Sequence, residues 1–223
     1  MLQTFYQNTR WFLILFFLLM IAGSLFLIIS RRGELVLFIN AFSNSVLDRF
    51  FLRITDLGLG GFVAICGGVL LLFNYRWSLL VLVSLAWVGI FTNIFKRLLF
   101  TGKTRPLHYF YYDDFPRFIH DVPLTYYHSF PSGHSMTIFA FCSMLAYLFG
   151  GKITAVLLFV LAVLVQVSRI YLLQHFEEDV LAGAFLGVTS TFITVMFLDG
   201  KIRLHQRAPF QKGILNLIPA FRK

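Results

Sequence analysis

The segment "SRIYLLQHFEED", residues 168–179, ends an apolar run with a serine and an arginine, then sets a histidine and three carboxylates close behind. An arginine at bilayer depth costs about 2.5–3.5 kcal/mol, so Arg169 needs something to hold. His175 and Asp179 are four residues apart, a spacing that in a helix puts them one above the other on one face. A carboxylate bonded to one imidazole nitrogen keeps the proton there and leaves the other nitrogen free to attack. Two further stretches carry matching chemistry. "PSGH", residues 131–134, offers a Ser132-Gly133 turn whose backbone N–H groups, at a helix start, bind anions; Gly133 lets the main chain approach a ligand closely, and His134 follows. "KRLLFTGKTRP", residues 96–106, concentrates Lys96, Arg97, Lys103 and Arg105.

Fixed cations, amide-presenting glycine and two histidines with one carboxylate suit a phosphate group, because arginine forks match phosphate oxygens. His175 is then the nucleophile, forming a phosphohistidine. His134 protonates the departing alkoxide and later takes a proton from water, a role worth about 10² to 10⁴ in rate. Lys96, Arg105 and Arg169 offset charge on the equatorial oxygens in the transition state.

The elements that must position these groups are membrane helices. With 58% hydrophobic and 13% charged residues over 223 positions, the composition excludes a water-soluble globular domain, and the length suits one membrane domain over 1–223, with a core at about 11–199. Apolar runs long enough to span about 30 Å of hydrocarbon fall at Trp11–Ser30, Ile54–Phe73, Ser78–Phe95, Ser135–Phe149, Lys152–Gln174 and Asp179–Leu198. All are expected to be helical, since lipid offers no partner for backbone amides. The fold class is therefore all-α: a six-transmembrane-helix bundle with a long surface loop between helices 3 and 4. The apolar core of the first run is too long for a secretory signal, and residues 2–11 read as an interfacial lead-in.

The long loop, residues 96–134, holds Tyr109, Phe110, Tyr111, Tyr112, Phe115, Phe118, Tyr126, Tyr127 and Phe130. Rings of this kind suit the headgroup zone, so a lid or platform at the membrane surface is expected. The three charged clusters fall on one side of the bundle. Basic residues near span ends divide nine to ten between the two sides. Setting aside the cations assigned to chemistry leaves the tail, residues 200–223, to place both termini in the cytoplasm and the active face outward. The same tail reads as a basic segment lying on anionic lipid.

These motifs resemble the type 2 phosphatidic acid phosphatase family, whose signature is Lys-x6-Arg-Pro, then Pro-Ser-Gly-His, then Ser-Arg-x5-His-x3-Asp. The last two blocks match at 131–134 and at Ser168, Arg169, His175 and Asp179. The first departs: the lysine position falls on Leu98, and the nearest upstream cations are Arg97 and Lys96, of which Lys96 fits if the loop around "FTGKT" carries a two-residue insertion. The resemblance implies metal-independent hydrolysis of a phosphate or diphosphate monoester from a lipid headgroup in a bacterial inner membrane, with the site on the periplasmic face. The substrates it leaves open are lipid A, undecaprenyl diphosphate, phosphatidylglycerol phosphate and phosphatidic acid. It implies no cofactor and no nucleic-acid partner, only a phosphorylated membrane lipid and the bilayer.

Other readings stand beside this one. The same phosphohistidine could pass its group to another lipid, making a phosphoryl transferase. A non-catalytic lipid carrier or assembly subunit predicts loss of the catalytic set, yet His134, His175 and Asp179 are all present. The related soluble vanadate-dependent haloperoxidases do not fit six spans and this size. His108, Asp113, Asp114, His120 and Asp121 follow no metal-ligand spacing, Glu177 and Glu178 suit the positive end of a helix, and Cys66 and Cys142 read as filler inside spans. Lys103 and Arg117 favour an anionic substrate, and Asp56 lines a groove or holds a helix end.

Overall fold

The computed structural model describes residues 1–110, 117, 119, 122 and 125–217, and among these every regular element is helical. In chain order they are α1 (Leu2–Ile29), α2 (Glu34–Ala41), α3 (Ser45–Ile54), α4 (Gly60–Phe73), α5 (Tyr75–Asn93), α6 (Pro106–Tyr109), α7 (Gly133–Phe149), α8 (Lys152–Tyr171) and α9 (Glu177–Val195). Wide π turns extend α5 over Ile94–Leu99 and α9 over Met196–Lys201.

Four helices are long and apolar enough to cross a membrane: α1, α5 with its π turn, α8, and α9 with its π turn. The stretch expected as the second span, Ile54–Phe73, takes in α4 and the turn before it but only the last residue of α3. α3 and α4 are bent 55° to each other and make a fifth span only if taken together. The break is a 3-10 turn over Thr55–Gly58, and it hugs the bundle so closely that a Cβ on Gly58 would lie 3.0 Å from the Cβ of His134 and 2.9 Å from Val165. A larger residue would push this turn away from the histidine.

α7 is the centre of the bundle. It has 17 residues, fewer than α1, α5, α8 or α9, and buries eleven of them, including Met136, Ile138, Phe139, Cys142 and Met144. Against it α9 packs backbone to backbone, since a Cβ on Gly183 would lie 2.5 Å from the carbonyl oxygen of Ser132 and one on Gly187 2.3 Å from that of Met136. Small residues four apart let membrane helices approach this closely. Ser84, Ser143, Ser190 and Thr191 bond across the same seam. Of the four long helices α1 is the least buried, with 11% of its apolar window buried against 56% for α9.

The lead-in before Trp11 is part of α1 rather than a separate interfacial segment. Phe5 and Thr9 continue the buried stripe of Phe12 and Phe16 at helical spacing, and the Asn8 amide donates to the Tyr147 carbonyl at 2.9 Å. The tail also folds back: the Tyr75 amide donates to the Lys212 carbonyl at 2.8 Å. Of the aromatic loop, Tyr109, Tyr126 and Tyr127 are exposed, whereas Tyr111, Tyr112, Phe115 and Phe118 lie outside the described residues, as do residues 218–223.

Candidate active site

The three charged clusters meet at one end of the bundle. A cavity of about 510 Å³ is lined by Lys96, Arg105, Gly133, His134, Arg169 and His175, together with Thr55, Asp56, Thr125 and Gln174. The polar groups arrive from several elements, and their placement has local causes.

Arg169 lies in the last turn of α8, where a cation faces the negative end of the helix. It is 7% exposed; one guanidinium nitrogen donates to the Thr55 hydroxyl at 2.7 Å, and its Nε has no partner. Beyond α8 the chain turns through Leu173, whose φ of +57° is left-handed. That conformation costs a non-glycine residue roughly 1–2 kcal/mol, offset by the amides of Gln174 and His175 both donating to the Arg169 carbonyl, at 3.0 and 3.2 Å. The strained turn swings His175 into the cavity.

His175 therefore sits in the connection before α9, not on a helix with Asp179. The two still approach: Nδ1 lies 3.5 Å from Asp179 Oδ2, both side chains almost wholly buried, without a hydrogen bond between them. With Nδ1 on the side of the carboxylate, Nε2 is the nitrogen left for the cavity. Burial, and then the positive charges of Arg105, Lys96 and Arg169, hold the imidazole well below its ordinary pKa, so it stays neutral and nucleophilic.

Asp179 does not line the cavity; it is a clasp. Its Oδ2 accepts the Ser129 hydroxyl and, at 2.9 Å, the Phe176 amide that caps α9. Its main-chain carbonyl accepts the Ser132 amide at 2.9 Å. Ser132 is likewise buried, with its hydroxyl oxygen accepting from Ser135 as the cap of α7. Of the Ser132-Gly133 backbone N–H groups expected to meet an anion, that of Ser132 is thus taken by Asp179, while Gly133 opens the first turn of α7, whose amides have no carbonyl of their own helix to bond. A Cβ on Gly133 would meet nothing within 4 Å, because the space there is the cavity.

Arg105 is fixed by three acceptors: the Tyr127 carbonyl at 3.1 Å, the Gln174 carbonyl at 3.2 Å and the Gln174 side-chain oxygen at 2.8 Å. Burial lowers its pKa, and Asp179 opposes the shift. Gln174 also accepts the Thr125 hydroxyl at 3.1 Å. No motif flagged Gln174, Ser129 or Thr55; only adjacence to His175 and to "PSGH" gave a signal for the first two.

Of the two candidate basic residues in the first block, Lys96 lines this cavity and Arg97 a neighbouring one of about 640 Å³ that also touches Lys96 and Arg105. Both sit in the π turn, the kind of irregularity found at functional sites. Asp56 lines the site cavity. Arg117 does not: its guanidinium pairs with Asp48 at 2.5 Å. Glu178 pairs with Arg32 at 2.7 Å, and Glu177 accepts the Gly33 amide at 2.9 Å. Together they tie the α1–α2 turn to the start of α9. Asp113, Asp114, His120 and Asp121 lie outside the described residues, among which no group of three or more His, Cys, Asp or Glu side chains could hold a metal ion.

The family model of the PAP2 superfamily matches residues 77–203, the stretch that carries every cavity cation and both histidines. The chain belongs to the PAP2 superfamily. Among curated proteins it is 30% identical over 171 residues to phosphatidylglycerophosphatase B of Bacillus subtilis, covering 70% of this chain and 77% of that one. It is 30% identical over 113 residues to lipid A 1-phosphatase of Rhizobium johnstonii, covering 51% of this chain and 44% of that longer protein. The crystal structure of Aquifex aeolicus LpxE superposes with a TM-score of 0.63 at 24% identity, over 75% of this chain and 96% of that one. A Bacillus subtilis transmembrane PAP2-type phosphatidylglycerolphosphate phosphatase superposes at 0.55 and 25% identity, over 88% and 98%. These likenesses and the apolar helices make this PAP2 chain a multi-pass membrane protein.

Proposed function

We propose that this PAP2 protein hydrolyses a phosphate monoester from a membrane lipid through a phosphohistidine on His175. Nε2 attacks phosphorus; the bond from phosphorus to the lipid oxygen breaks, and His134, protonated once the anionic phosphate offsets the cations around it, gives that oxygen its proton. Water then attacks phosphorus, His134 takes the proton back, and the N–P bond breaks to release inorganic phosphate. Lys96, Arg105, Arg169 and the first-turn amides of α7 balance charge on the three equatorial oxygens, so the side chains supply the electrostatic work without a metal. Asp179 orients His175 and holds its Nδ1 proton.

The observation that carries this reading is the convergence of two histidines and three cations on one cavity at the end of an apolar bundle. The relatives' names favour phosphatidylglycerol phosphate and lipid A phosphate as the first substrates to try, with phosphatidic acid and undecaprenyl diphosphate beside them. Counting the bent α3–α4 pair as one span and α7 as another gives six crossings. Both termini then share the cytoplasmic side, with the cavity opening outward.

The test is phosphate release from a panel of these lipids in detergent micelles. Wild-type protein should release phosphate from at least one of them with chelator present. His175→Ala should reduce release by several orders of magnitude. Release by the variant at wild-type rate would remove His175 as nucleophile, and a requirement for added divalent metal would remove the metal-free reading.

A further inference from the structure

A second cleft, of about 310 Å³, lies between α1, α2, α8 and α9 and shares no lining residue with the site cavity. Its walls are Leu19, Phe26, Leu35, Val163, Val180 and other apolar side chains, with two exceptions, Gln166 and Glu177. Gln166 is 6% exposed and Glu177 5% exposed. In both, one oxygen is buried with no hydrogen-bond partner: Oε1 of Gln166 and Oε2 of Glu177. The other oxygen of Glu177 is occupied by the Gly33 amide at 2.9 Å, and Arg32, the nearest cation on that turn, pairs with Glu178.

An unpaired buried acceptor costs about 1–3 kcal/mol, and two on side chains that line one apolar cleft is an uncommon arrangement. What satisfies both is a donor delivered from the bilayer at the end of an apolar chain. Water alone would leave the hydrophobic walls unfilled. A partner helix would bring a bulky face to a slot of this size. We propose that this cleft is a binding site for a membrane lipid whose head carries a hydrogen-bond donor, an ammonium or a hydroxyl, with one chain along α1 and α8 and the head on Gln166 and Glu177. The site is separate from the phosphate cavity, yet Glu177 is two residues from His175 and one from the amide that Asp179 accepts, so occupancy bears on the loop that presents the nucleophile.

The test is the thermal unfolding midpoint of the full chain in nanodiscs of three compositions: phosphatidylcholine alone, whose quaternary ammonium has no N–H; the same with phosphatidylethanolamine, an ammonium donor; and the same with diacylglycerol, a hydroxyl donor. Wild-type protein should unfold at least about 3 °C higher with one or both donor lipids, as ligand linkage requires. A rise with phosphatidylethanolamine alone assigns the site to an ammonium, and a rise with both assigns it to any donor. Gln166→Leu and Glu177→Gln should each reduce that rise; the first replaces a buried polar group by an apolar one and keeps the protein folded. Equal midpoints in all three compositions, or a rise that survives unchanged in both variants, would overturn the proposal.

Discussion

The main-chain carbonyl of Asp179 accepts the Ser132 amide at 2.9 Å, while its carboxylate stands 3.5 Å from Nδ1 of His175. One residue thus fixes the start of α7, which presents His134, relative to the loop that presents His175. Neither contact requires Asp179 to touch substrate, which makes it a positioning residue.

Asp179→Asn preserves the main-chain bond and an oxygen for the Phe176 amide, but removes the charge facing Nδ1. The expected result is a fall in kcat of roughly 10² to 10⁴, with KM for the lipid little changed and a thermal midpoint close to wild type. A variant that loses folding and rate together would mean that the clasp is structural only. Ser129→Ala, which removes a second donor to the same carboxylate, should move kcat in the same direction by less.

Gly133 and Gly187 separate the cavity from the seam. At Gly133 a methyl group meets open space, so Gly133→Ala should fold normally and crowd the phosphate, raising KM about tenfold, which corresponds to about 1.4 kcal/mol of binding. At Gly187 the same methyl lies 2.3 Å from the Met136 carbonyl. Gly187→Ala should destabilise the protein by about 1–3 kcal/mol and, where folded protein remains, leave KM nearly as it was. Denaturation in detergent alongside steady-state kinetics separates the two.

These positions mark how far the sequence could be read. "PSGH" and "SRIYLLQHFEED" were legible because phosphate chemistry demands those residue types at fixed intervals. The expectation of a helical membrane protein rested on hydrophobicity alone, which is why long spans such as α8 were found within a few residues of their ends. The α3 half of the broken α3–α4 pair was not legible: Asp48, Arg49 and Arg53 interrupt its apolar residues, and the turn after it packs Gly58 on His134, a contact between distant segments. The seam glycines Gly183 and Gly187 were legible in principle, four apart in "GAFLG". The Ser132-Gly133 turn was read as a pair of anion-binding amides, but the Ser132 amide bonds the Asp179 carbonyl, a contact between distant segments that no local pattern shows.

Acidity should reveal the burial of His175. Its pKa in the folded protein is depressed by burial and by Arg105, Lys96 and Arg169, whereas in the unfolded chain it takes a proton near pH 6.5. Below about pH 6.5 the unfolded state therefore binds more protons, and stability falls as pH falls, by at most about 1.4 kcal/mol per pH unit for this group. His175→Asn should give a shallower dependence between pH 6.5 and 5 in the same detergent. An unchanged slope would show that the imidazole titrates normally in the folded state.

At the opposite end of the bundle Arg76 grips Asp199 with two nitrogens, at 2.6 to 3.0 Å, and the Tyr147 hydroxyl donates to the same carboxylate at 2.8 Å. Asp199 is wholly buried, and these contacts join α5, α7 and the π turn after α9 far from the phosphate cavity. Removing one partner strands the other's charge, so Arg76→Ala or Asp199→Ala should destabilise the protein by about 3–5 kcal/mol. The double variant should recover part of that loss, because it leaves no unpaired charge. Purified protein that stays folded should keep near wild-type kcat, read by phosphate release at a temperature well below the lowered midpoint. A large loss of kcat in fully folded protein would couple the two ends of the bundle and contradict the assignment of this pair to stability.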